Sequence, residues 1–201
     1  MLRLLLMALA LIGSPALAQL SLGDSGSAGL VAAAMARLSR DVTYDGSYRS
    51  IAYPNGDVPD NVGVCTDLVI RAFRRTGVDL QQLVHEDMRE NFDEYPSNWG
   101  LTAPDTNIDH RRVPNLQVFF ERNGQSLPIS QLSASYLPGD LVTWRLDSNL
   151  PHIGIVAARQ SADGARPLII HNIGAGPALD DILFSFEITG HYRFTGAEHA
   201  N

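Results

Sequence analysis

The sequence predicts an α+β fold in which N-terminal helices pack on an antiparallel β-sheet. Two observations lead there. Apolar residues recur every three to four positions in several stretches before residue 124, then alternate with period two from about residue 141 onward. Helices followed by strands, rather than alternating with them, mark a segregated architecture with an antiparallel sheet. Beyond the N-terminal leader about 180 residues remain, enough for a single domain with a full core, expected over residues 19–201.

In the leader, Arg3 precedes an apolar run from Leu4 to Ile12. Gly13 and Pro15 then break the run ahead of Ala16-Leu17-Ala18. This predicts a secretory signal peptide over residues 1–18, cleaved before Gln19. The run is too short for a stable membrane anchor, so the mature protein is expected to be periplasmic or secreted, without a membrane tether. The formal net charge of −7 becomes one unit more negative when Arg3 leaves. An acidic chain argues against nucleic acid as a partner, because phosphate binding needs clustered basic side chains. Cys65 is the only cysteine, which excludes an internal disulfide. Exported proteins usually pair their thiols, so a lone one invites either intermolecular pairing or a reactive role, and its sequence context favours the second. A monomer is expected.

The elements follow in order. Leu30, Val31, Ala34 and Leu38 share one helical face, predicting a first helix over residues 27–38 with Arg37 and Arg40 near its C-terminal end. Residues 43–60 hold Gly46, Pro54, Asn55-Gly56 and Pro59, the composition of a loop. Cys65, Leu68, Val69, Ala72 and Phe73 then predict a second helix over residues 61–76, ended by Gly77 and carrying Cys65 in its opening turn on the inward face. A third starts at Asp79, with Gln82 placed as in a capping box. Residues 91–113 form a long polar loop whose Tyr95 and Trp99 are expected to shape a cleft. A short helix over residues 114–122 closes the helical half. Strands are expected at residues 141–146, 152–158, 168–173 and 182–194, arranged as a meander with turns at Asp147-Ser148-Asn149 and Asp163-Gly164.

Cys65 and the strand histidines suggest nucleophilic chemistry. A thiol attacks an amide carbonyl only after losing its proton, which an imidazole within reach can accept and later return to the leaving amine. A third polar group orients that ring. Cys65 is the expected nucleophile and His152 the base. The positive end of the helix dipole is expected to lower the Cys65 pKa. His152 shares a strand face with Gly154, while His171 and Asn172 must face opposite ways, so only one of them can orient His152.

Taken in order, Cys65 at a helix start, Pro138-Gly139-Asp140-Leu141-Val142, His152-Ile153-Gly154-Ile155-Val156 and Ile169-Ile170-His171 resemble the NlpC-like cell-wall peptidases of the papain-like cysteine-hydrolase superfamily. Val64-Cys65-Thr66-Asp67 and His171-Asn172-Ile173-Gly174 are similar to a bacterial family numbered 1287 among domains of unknown function. The resemblance implies a papain-like (NlpC-like) fold and a triad of Cys65, His152 and His171, with Asn172 as alternative orienter by analogy with papain. It also implies that the Cys65 backbone N–H contributes to an oxyanion hole. A tyrosine near the site is implied too, for which Tyr44 and Tyr48 are the candidates. Tyr44, Trp99 and Asp67 are the expected substrate contacts. The implied activity is a cysteine peptidase or amidase acting on peptide or amide bonds, with peptidoglycan stem peptide or another peptide or amide as substrate and no cofactor. NlpC-like enzymes commonly carry Asp before the cysteine and Ser-Gly after it, where this chain has Val64 and Thr66-Asp67, so their substrate preference does not transfer.

The remaining features carry blander readings. Asp109-His110-Arg111-Arg112 is expected to be a solvated face. His85, His191 and His199 are assigned no site role. Zinc held by Cys65, His152 and His171 ranks well below the thiol mechanism, since the sequence contains no close-spaced ligand pair. A non-catalytic domain of the same shape that binds cell wall or a partner is the alternative function.

Overall fold

The computed structural model describes residues 16–196, with side chains from residue 26 onward. Most of the expected leader, residues 1–15, and His199 lie outside the described residues. Helix α1 spans Ala16–Met35 and runs into a 3-10 turn at Ala36–Ser39, so the helix starts well before the Ser27 expected from its apolar face. Two short strands, β1 (Thr43–Tyr44) and β2 (Val62–Gly63), pair in parallel and bracket the loop that leads to α2 (Cys65–Arg75). Helix α3 (Leu80–Glu90) is capped by Asp79, whose carboxylate accepts the Gln81 N–H; Gln82 bonds Glu86 instead of reaching back. After the polar loop comes α4 (Val113–Asn123). The remaining strands are β3 (Gln125–Ser126), β4 (Leu141–Arg145), β5 (Pro151–Gln160), β6 (Pro167–Asn172), β7 (Pro177–Asp180) and β8 (Glu187–Arg193).

All pairings in the larger sheet are antiparallel, in the order β3-β8-β4-β5-β6-β7. The meander expected from sequence therefore holds only from β4 to β7. β8 returns to the far edge of β4, and β7 is a strand that the period-two pattern did not reveal.

Period two divides the sheet residues between two cores. Leu141, Ile153, Ile155, Ala157 and Ile170 meet the helices, where Leu68, Val69, Ala72 and Phe73 of α2 and Leu116, Phe119 and Phe120 of α4 are buried. The Phe73, Phe119 and Phe120 rings lie 5.4–5.6 Å from Phe194, and burying each stabilises the fold by about 1.5–3 kcal/mol. Val142, Trp144, Val156 and Ile169 face the other way, under Tyr136 and Leu183. Residues 182–186, expected to open the last strand, instead cross this second face. The Trp144 indole N–H donates to Leu183 O at 3.0 Å, which holds the crossing segment down. Among the described residues no helix is long and apolar enough to cross a membrane.

Candidate active site

Cys65 is the first residue of α2. The preceding Val64 offers no side-chain cap, so Asp67 at the third helical position accepts the Val64 N–H at 2.7 Å. The same carboxylate takes two hydrogen bonds from Arg111, at 2.8 and 3.0 Å, in a pair that is buried on both sides. Thr66 Oγ1 donates to Arg111 O at 2.9 Å. The opening turn of α2 is thereby tied to the loop ahead of α4. This corrects two expectations. Asp67 has its oxygens committed within the scaffold and is 3% exposed, so it is no substrate contact. The run Asp109-His110-Arg111 is buried rather than solvated, because Arg111 follows its partner inward.

The thiol itself is buried. Tyr44 Oη bonds the sulfur and also takes the Cys65 backbone N–H, while the N–H groups of Ile153 and Thr66 donate to the sulfur. Burial pushes the thiol pKa up to about 11, against the stabilisation those donors give a thiolate. The expected lowering by the helix dipole is therefore overturned: desolvation outweighs it. The Tyr44 hydroxyl is likewise raised, first by burial and then by the neighbouring sulfur.

His152 lies at the start of β5 and turns toward the second core, its ring centroid 5.9 Å from that of Trp144. Helix α2 approaches from the other face, so Cys65 and His152 converge on β5 from opposite sides. The β5–β6 ladder begins only at Gly154↔His171, and the neighbouring Ile153 N–H goes to the sulfur. Among the described residues, no hydrogen bond joins Cys65 to His152. A Cβ at Gly154 would stand 2.6 Å from Ile169 Cγ2 and 3.2 Å from His171 Cβ, so glycine is what lets β6 close on β5 here.

His152 Nε2 and His171 Nδ1 are 3.1 Å apart, with the rings nearly perpendicular at 86°. His171 Nε2 in turn lies 3.1 Å from Asp180 Oδ2. Burial, with His171 beside it, lowers the His152 pKa to about 3. His171 is lowered by burial as well, with Asp180 pulling the other way. Asn172 does not reach His152. Its Nδ2 donates to Gly63 O at 3.5 Å and its Oδ1 accepts from the Gly174 N–H at 3.2 Å, tying β6 to the segment just before Cys65.

Trp99 stands 42% exposed, with the Arg112 guanidinium carbon 4.0 Å from its ring centroid. Together with Gly46, Tyr48, Val64 and Arg111 these two residues line a cleft of about 330 Å³ that reaches the residue before Cys65. Tyr95 is buried and donates to Asp87, while Tyr48 bonds Asp105 and Asn107, which leaves Tyr44 as the tyrosine at the thiol. Sequence reasoning missed Asp180 and the scaffold role of Arg111. The paired glycines Gly174 and Gly176 signal a turn that brings the chain back along β6, and counting in twos from there puts Asp180 on the His171 face. Among the described residues no group of three or more His, Cys, Asp or Glu is gathered as for a metal ion.

The family described as "Domain of unknown function (DUF1287)" matches residues 31–194. The Escherichia coli (strain K12) relative "Uncharacterized protein YijF" is 54% identical over 151 residues, 75% of this chain and 73% of that one. A crystal structure of an N-acetylmuramoyl-L-alanine amidase from Bacteroides uniformis superposes with a TM-score of 0.52 at 13% identity, covering 84% of this chain and 98% of the other. NlpC1 from Trichomonas vaginalis superposes with a TM-score of 0.46 at 17% identity over 85% of this chain, which spans only 44% of that protein.

Proposed function

The chain belongs to the DUF1287 family, and we propose that it is a papain-like thiol amidohydrolase that cleaves peptide or amide bonds in peptidoglycan, outside the cytoplasm. The observation that carries this reading is the meeting of the Cys65 helix start with the first residues of β5, where a buried and hydrogen-bonded histidine pair begins. The shared fold with a protein named N-acetylmuramoyl-L-alanine amidase supports the substrate class. The predicted leader supports export.

In this reading the resting site holds a neutral thiol and a neutral imidazole. For the chemistry to run, the first residues of β5 must turn so that the His152 ring reaches the side from which Cys65 approaches. The sulfur then gives up Tyr44 as its partner and His152 takes the thiol proton as attack begins, while His171 keeps its hold on the other ring nitrogen. The Cys65 N–H, released by Tyr44, is then free to stabilise the developing oxyanion. His152 afterwards protonates the leaving amine, and water completes the hydrolysis of the acyl-enzyme.

One observation favours the second reading, a non-catalytic wall-binding domain: the thiol has a raised pKa and no hydrogen bond to His152. Purified parent and Cys65→Ala proteins incubated with muropeptides, with products read by mass spectrometry, separate the two. The hydrolase reading expects cleavage by the parent and loss of at least roughly a thousandfold in the variant. Equal product from both leaves the binding reading.

A further inference from the structure

We propose that Asp180 is a positioning residue that, acting through His171, decides which nitrogen of His152 is free to serve as the base. The inference rests on the reading of His152 given above, but its geometry stands on its own. A carboxylate can only accept a hydrogen bond, so the 3.1 Å contact with Asp180 Oδ2 requires His171 Nε2 to carry a proton. A neutral imidazole has one N–H, which leaves His171 Nδ1 as a bare acceptor. Two lone pairs do not face each other across 3.1 Å, so His152 Nε2 must be the donor in that contact. His152 Nδ1 is then the unprotonated nitrogen available to a thiol. One carboxylate thereby fixes two tautomers in series.

Burial supports this assignment, because a fully buried His171 is held neutral and cannot donate from both nitrogens. The strand register explains the reach. On β7, Ala178 stands opposite His171 and Asp180 opposite Ile169, so Asp180 lies on the same sheet face and one diagonal step away. The adjacent carboxylate cannot take its place: Asp181 is engaged by Arg166, whose Nε lies 2.8 Å from Asp181 Oδ1. Asp180 is also half-exposed on an edge strand, where substitution leaves the core intact.

The test is imidazole 15N NMR on the parent, Asp180→Leu and Asp180→Asn, together with hydrolysis rates. The parent is expected to show the Nε2–H tautomer at both His152 and His171. In Asp180→Leu the two tautomers should mix, with kcat falling at least roughly tenfold, KM unchanged and the melting temperature within a few degrees of the parent. Asp180→Asn keeps an accepting oxygen and should restore the parent tautomer. A His152 that carries its proton on Nδ1 in the parent overturns the proposal, as does an Asp180→Leu protein with unaltered tautomers. If the parent hydrolyses nothing, the hydrolase reading fails while the NMR spectra still decide the role of Asp180.

Discussion

At the scale of single residues, the contest at Cys65 is between dipole and desolvation. The helix start and three hydrogen-bond donors favour a thiolate, yet enclosure of the sulfur prevails and sets its pKa near 11. At pH 7 the thiolate fraction of such a group is on the order of one in ten thousand. Iodoacetamide should therefore label Cys65 slowly at pH 6, and faster only as the pH climbs well above 9. Stopped-time alkylation followed by intact-mass measurement checks this, and rapid labelling at pH 6 would show a preformed ion pair instead. Cys65, His152 and His171 stand out in the sequence because each sits at the start of or within a patterned element. Asp67 and Arg111 do not. Their roles depend on a contact across 44 residues, and nothing local distinguishes a charge that will be buried with a partner from one that will face water.

At the scale of elements, the β5–β6 pair depends on Gly154. Its place between His152 and the Ile169–His171 segment leaves no room for a methyl group, since a Cβ would also meet Ile170 O at 3.0 Å. Gly154→Ala is expected to destabilise the protein by about 1–3 kcal/mol through forced displacement of β6, read as a lower urea midpoint. It should also lengthen the His152–His171 contact, and an unchanged midpoint would place the tight packing elsewhere. The helices were legible from their 3.6-residue spacing, with ends displaced by a few residues. The strand pattern was less informative after residue 173. A four-residue edge strand carries too few alternations to register, while the apolar residues of 182–186 mimic a strand although they cross the second face of the sheet.

At the scale of the whole molecule, enclosing polar groups on both sides of one sheet makes stability depend on pH. His152 and His110 are both buried and held down to about 3. In the unfolded chain each protonates below about pH 6.5, so the unfolded state takes up more protons and stability falls as the pH drops from about 6.5 toward 3. Each group contributes a slope of up to about 1.4 kcal/mol per pH unit over that window. Asp140 acts in the same direction at lower pH. Although burial opposes it, its hydrogen bonds with His191 and Arg193 hold its carboxyl below the usual range, and their contribution is lost as acid protonates it. Urea titrations between pH 7 and 4 should show a steadily falling midpoint, and a flat profile would mean that these histidines are not buried neutral. Local periodicity and residue type are enough to give the α+β class, the helix-start cysteine and the order of the two strand histidines. That His171 rather than Asn172 meets His152, that Asp180 lies behind it, and that the thiol rests neutral against Tyr44 emerge only once the chain has folded. Those outcomes depend on strand register, on which sheet face each side chain takes and on how deeply the sulfur is enclosed, and all three are set by contacts between segments far apart in the chain.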